Sequence, residues 1–158
     1  MKRSLYATFM NVGTSSSPSY ARMGKGISEM DESYNAEEES TQYIHEDSPT
    51  NEVESYNPSF DVTQKCYEDE PIFEFIDAKR KALATDEDAK TDCLKVYLYN
   101  KLADNVYEAA KINTTIVISS FNAKEISYAV KQNGDQKTGY VTIASGGTVT
   151  FTEGTYSA

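Results

Sequence analysis

Apolar and polar residues alternate along much of this chain with a period of two, the spacing that sends successive side chains to opposite faces of a strand. Leu5 to Met10 reads as a short strand, closed by the turn-forming run Gly13-Thr14-Ser15-Ser16-Ser17-Pro18. Tyr20 to Met23 resumes extended structure until Gly24-Lys25-Gly26 interrupts it. From Ile27 to Ala36, Met30, Tyr34 and Ala36 share one face and Glu29, Asp31, Ser33 and Asn35 the other, with Glu32 alone breaking the apolar side. Val53 to Tyr67 alternates again: Tyr56, Phe60, Val62 and Cys66 against Ser55, Asn57, Ser59, Asp61, Thr63 and Lys65. Between these two strands, residues 37–52 are polar and acidic apart from one apolar knot, Tyr43-Ile44. Such a long connection is expected to be functional or to order only on binding, and here it would form the tip of an extended hairpin.

The period changes once. Asp69 precedes Glu70-Pro71 as a candidate N-cap, and Ile72, Phe73, Ile76 and Leu83 follow at helical spacing, with Lys79, Arg80 and Lys81 at the C-terminal end. This predicts a helix of about 14 residues, roughly 21 Å long, that covers one face of a sheet. Asp86 to Asp92 reads as a surface connection and Leu94 to Tyr99 as a strand. After a link centred on Tyr107, the β-branched run Ile112 to Phe121 is strand-like. Ile126 to Val130, a hairpin turn at Asn133-Gly134-Asp135, Gly139 to Ala144, a second turn at Gly146-Gly147 and Val149 to Thr152 complete a meander, and Glu153 to Ala158 reads as a frayed tail. The pattern predicts a mainly β fold: a β-sandwich or barrel with one flanking helix and a long inter-strand hairpin loop, built as one domain over residues 1–158.

Composition changes this picture in two ways. The formal net charge is −10, and a large negative potential repels phosphate backbones, which disfavours tight nucleic-acid binding. The chain has twelve Tyr and no Trp, which suits strand surfaces and subunit contacts because Tyr joins a large apolar ring to a hydrogen-bonding tip. Cys66 and Cys93 lie far apart in sequence and are expected to be buried and reduced. No run of apolar residues is long enough to span a membrane, and Leu5 to Phe9 is too short and polar for a signal core after the basic start.

Catalytic and metal-binding patterns are scarce. His45 is the only histidine, so a multi-histidine zinc site cannot be assembled, and no Gly-x-Ser-x-Gly elbow is present to support a hydrolase triad through it. Gly24-Lys25-Gly26 lacks the remainder of a phosphate-loop signature. The runs Glu37-Glu38-Glu39 and Glu68-Asp69-Glu70 lack the spacing of a calcium loop. The expectation is a non-enzymatic protein with no cofactor and no metal.

Arg22-Met23-Gly24-Lys25-Gly26-Ile27, Tyr34-Asn35, Tyr43-Ile44-His45-Glu46-Asp47-Ser48, Val53 to Phe60 and Tyr67 to Asp77 form an ordered series across the first half of the chain. This series resembles the major tail tube proteins of long-tailed bacteriophages. The second half matches them only in its strand content. The resemblance implies a virion protein, assembled in the host bacterial cytoplasm as hexameric rings that stack into a hollow tube. In that family the long hairpin loop reaches the neighbouring ring. A tape-measure protein fills the lumen before DNA does, and terminator and baseplate proteins close the ends. Some relatives carry a further immunoglobulin-like domain, for which this length leaves no room.

On this reading Glu29, Asp31, Ser33, Ser59, Asp61 and Thr63 are candidate lumen-facing residues, and Glu37, Glu38, Glu39, Tyr43, Ile44, His45, Glu46 and Asp47 are candidates for inter-ring contact. Six copies would carry a formal charge of about −60, which keeps passing DNA from adhering. A tail terminator or connector, or the tube of a related contractile or secretion machine, is the alternative. A small-molecule-binding barrel or hydrolase is a third, and would need His45 pointing into a deep pocket.

Overall fold

The computed structural model describes residues 1–158. It is mainly β and antiparallel, with one α-helix, in a sandwich-like arrangement. Strands β1 (Tyr6–Asn11), β2 (Tyr20–Arg22), β3 (Glu32–Ser33), β6 (Ser59–Lys65), β7 (Lys90–Ala103), β8 (Val106–Phe121), β9 (Glu125–Ile143) and β10 (Val149–Glu153) form one sheet in the order β2-β1-β7-β8-β9-β6-β3, with β10 also on β9. Strands β4 (Glu37–Thr41) and β5 (Thr50–Ser55) form a separate two-stranded sheet.

The central strands are buried on both faces, and alternation divides their side chains between two cores. Met10 and Cys93 join Val62, Ile112, Ile126 and Val130 in one cluster, which the helix α1 (Pro71–Ala82) closes with Ile72 and Ile76. Ala7, Phe9, Leu94 and Val96 point the other way and pack with Ala109, Val141 and Val149. The two buried side chains of the helix, Ile72 and Ile76, are each worth about 1.5–3 kcal/mol, so the helix is held by its apolar stripe rather than by propensity.

Several sequence expectations need correction. Residues 27–36 do not form a continuous strand: only Glu32–Ser33 pair with β6, and Ile27 makes one bridge to Gln64. Asn35 has a positive φ of 48°, which turns the chain away from the sheet. The 53–67 strand is interrupted at Tyr56–Pro58, and the acidic segment on its N-terminal side is itself paired as β4 and β5. The N-cap is Glu70, not Asp69: Glu70 Oε2 accepts from the Phe73 amide at 2.7 Å, while Asp69 sits at φ 65°. The helix has 12 residues and ends at Leu83 in the left-handed region. Tyr107 lies inside β8, beyond a turn at Asp104-Asn105.

Asn133-Gly134-Asp135 is not a hairpin turn either. Residues on both sides of it pair with β8, Asn133 with Asn113 and Lys137 with Lys111, so the chain keeps its direction and the surplus residues form a bulge. Gly134 adopts φ 66° there, which suits a glycine. The true hairpin follows at Gly146-Gly147, between β9 and β10. Gly139 permits that hairpin to close, since a Cβ there would lie 2.2 Å from the Thr152 carbonyl oxygen. The C-terminal tail is not frayed throughout: Glu153 pairs with Gly139, the Gly154 amide donates to the Thr138 carbonyl at 3.1 Å, and the Tyr156 ring lies edge-on to Tyr140 at 5.2 Å.

Candidate functional site

The β4–β5 hairpin buries nothing of its own. Every residue of β5 is exposed, and only Thr41 of β4 is partly covered. Its five paired positions alone extend about 17 Å at about 3.4 Å per residue. Its root is fixed: the Asn57 amide donates to the Tyr34 carbonyl at 3.0 Å, Asn35 Nδ2 donates to the Asn57 carbonyl at 3.0 Å and to Ser59 Oγ at 3.2 Å, and the Tyr34 and Tyr56 rings meet edge-on at 6.3 Å.

At the tip Glu46 acts as an internal brace. Its carboxylate accepts from the Tyr43 amide at 3.3 Å and from Thr50 Oγ1 at 3.1 Å, and its own amide donates to the Tyr43 carbonyl at 3.0 Å. This turn leaves Ile44 fully exposed and Tyr43 half-exposed, with the His45 ring stacked on Tyr43. His45 points to solvent from the hairpin and lines none of the molecule's larger clefts. The hairpin contains seven carboxylates (Glu37, Glu38, Glu39, Glu46, Asp47, Glu52 and Glu54) and no Lys or Arg. Glu39 lies directly opposite Glu52. The Glu54 carboxyl is held above the ordinary glutamate value by its hydrogen bond with Glu39, then by desolvation, then by the charges of Glu37 and Glu52. The folded hairpin therefore holds that proton more tightly than an unfolded chain, and its stability falls as pH rises through that pKa. An isolated two-stranded ribbon is marginal in water, and cross-strand like charges weaken it further.

Below the hairpin root, the structure brings Glu29, Asp31, Ser33, Asp61 and Thr63 together around one polar cleft of about 320 Å³. Ser59 faces Ser33 across the β3–β6 pair. No three His, Cys, Asp or Glu side chains converge as a metal site would require. No helix is long and apolar enough to cross a membrane.

What holds the cleft in place was not predicted from the sequence. Glu32 turns inward from its base and forms an ion pair with Lys95 of β7, the Lys95 side chain being buried and that of Glu32 largely covered. The Tyr6 hydroxyl donates to the second oxygen of Glu32 at 3.0 Å. The rings of Tyr6, Tyr97 and Tyr99 continue the cluster with successive centroids 5.8 Å apart. The signal was present in the sequence as the single charge that broke the apolar face of residues 27–36. A second buried network ties helix to sheet: Tyr128 Oη donates to Gln64 Oε1 at 3.0 Å, and Gln64 Nε2 donates to Glu70 Oε2 at 2.8 Å. Of the two cysteines, both free, Cys93 is buried and Cys66 only half-buried, and burial pushes the Cys93 thiol up to about 12.

Burial, followed by the Glu32 charge and hydrogen bond, pushes the Tyr6 phenol well above its ordinary value; burial also dominates at Tyr128, and at Tyr20, where a hydrogen bond to Asp92 adds to it. A folded pKa above the unfolded one means the native state retains the proton longer. The stabilisation is complete below about pH 10 and is lost as pH rises beyond it. The protein is therefore expected to unfold cooperatively in alkali, and Tyr6→Phe should shift that transition upward when followed by far-UV circular dichroism. An unfolding midpoint insensitive to pH between 9 and 12 would contradict this.

The chain matches no protein-family model and no curated protein. Among solved structures, 84% of this chain pairs with 91% of a chain in the cryo-EM structure of the anti-feeding prophage baseplate, six-fold symmetrised, at 10% identity and a TM-score of 0.44.

Proposed function

We propose that this chain is a structural subunit of a phage-tail-like particle, and specifically a tube subunit that polymerises as stacked rings, hexameric in the family it resembles, around a passage for DNA. The observation that carries this reading is the β4–β5 hairpin. It projects from the sheet, exposes Tyr43 and Ile44 at its tip, and covers none of its own core. A segment this acidic and this poorly buried gains stability only when a surface outside its own subunit covers it. The ordered motif series of the first half supports the same reading.

Lateral joining has candidate edges. β2 and β3 end the sheet, and the β8 stretch Ile116–Phe121 has β9 on one side only, because pairing with β7 stops at Thr115. Open edges are avoided in monomers and serve as joining surfaces in assemblies. The polar cleft of Glu29, Asp31 and Asp61 would then contribute an acidic wall to the lumen, which repels DNA rather than binding it. Catalysis has no part in this mechanism.

Negative-stain electron microscopy of concentrated protein tests the proposal. Long hollow filaments are expected from the intact chain, and none from a variant in which residues 37–55 are replaced by a Gly-Ser turn. An intact chain that stays monomeric at high concentration, or a hairpin-deleted chain that still forms filaments, would overturn it.

A further inference from the structure

The charges of this chain are segregated in a way its net value conceals. Residues 1–28 contain Lys2, Arg3, Arg22 and Lys25 and no acid, whereas residues 29–61 contain eleven acids and no Lys or Arg. The two segments meet where the Tyr6 hydroxyl donates to Glu32, but neither Arg3 nor Arg22 pairs with an acid of the second. The basic segment frames most of an open cleft of about 480 Å³ beside β1 and β2, with Arg3 and Arg22 on its rim, Met1, Met23, Ile27 and Met30 along its walls and Glu29 as its one carboxylate. Arg3 donates to the Ser28 carbonyl and Arg22 to the Ser4 carbonyl at 3.4 Å, so both guanidinium groups are positioned by backbone oxygens and have no carboxylate partner. Seven of the eleven acids lie on the hairpin with its apolar tip.

We infer that this cleft receives the β4–β5 hairpin of a second copy of the chain, the Tyr43-Ile44 knob entering the methionine-lined floor while the hairpin carboxylates face Arg3 and Arg22. The inference rests on the tube reading for its biological setting, and it names the receiving surface that the reading leaves open. Two features of the cleft match two of the hairpin, and a third point sets the symmetry of the contact. Positive charge without internal partners meets negative charge without internal partners. Methionine walls adapt to an inserted aromatic and aliphatic pair. Hairpin and cleft are different patches of one surface, so the contact is head-to-tail and propagates instead of closing as a dimer.

Disulfide trapping tests this in the full chain on a Cys66→Ser background. Protein carrying Ile44→Cys is mixed with protein carrying Ser4→Cys, a position on the cleft, and oxidised. The control partner carries Ser157→Cys in the exposed tail. Cross-linking to position 4 is expected to exceed that to position 157 by roughly tenfold or more, given the high effective concentration of a docked pair. Arg3→Glu combined with Arg22→Glu should lower the rate at position 4 by roughly tenfold at low salt, with an unchanged circular dichroism spectrum, because both residues are exposed. Equal rates at positions 4 and 157 would overturn the inference, as would indifference to the two arginine reversals. Filaments that form without preferential cross-linking would reject this landing site and leave the tube reading standing. Cross-linked oligomers that never become filaments would uphold the docking and reject the tube.

Discussion

Replacing Lys95 by methionine is expected to destabilise the fold by about 3–5 kcal/mol, because it strands the Glu32 carboxylate in a site from which water is largely excluded. The Lys95 side chain is 4% exposed and that of Glu32 14%, so neither charge is screened as a surface pair would be. The remaining hydrogen bond from Tyr6 cannot neutralise a carboxylate. For a domain of this size the loss corresponds to a fall in Tm of about 6–20 °C. The double variant Glu32→Leu with Lys95→Met should recover most of the loss, since a buried pair replaced as a unit by apolar groups is commonly near neutral. The single variant should also free residues 28–36, which Glu32 pins across the sheet, and so admit protease there. A fall of less than about 1 kcal/mol in urea unfolding would show that the pair does not hold this segment.

The second large effect is expected at Gln64→Leu, at about 2–4 kcal/mol. Gln64 stands between two buried polar groups, accepting from Tyr128 and donating to Glu70. Leucine fits the strand but leaves a hydroxyl without its acceptor and a buried carboxylate without one of its donors, and both penalties exceed the mean value of a hydrogen bond. Tyr128→Phe removes only the outer member and should cost about 1 kcal/mol. Glu70→Ala removes the helix cap as well, so its effect should include the roughly 1 kcal/mol typical of an N-cap. If Gln64→Leu and Tyr128→Phe cost the same, the link between sheet and helix runs through other contacts.

The difference between these sites and the rest of the fold explains what could be read in advance. Strands β1, β6, β7 and β8 were legible because their alternation reflects contact with a core on at least one face, and a core imposes its period locally. The helix was legible through Pro71 and the spacing of Ile72 and Ile76, yet its cap was misplaced by one residue. Asp69 and Glu70 are both acceptable caps by type, and the choice fell to Glu70 because Gln64 is there to share its carboxylate. The Asn133-Gly134-Asp135 bulge has the residues of a turn; only the shared partner strand β8 reveals that the chain does not reverse.

The sequence by itself determined the β class, the single helix, and the acidic segment with its Tyr43-Ile44 knot. Each of these depends on spacing within a few residues or on composition. Only the tertiary structure decided that Glu32 would turn inward to Lys95, that the hairpin would stand clear of its own body, and that the basic N-terminal segment would frame a cleft. Those outcomes join residues dozens of positions apart, where burial and charge pairing are settled by the curvature of the whole sheet and no local pattern records them.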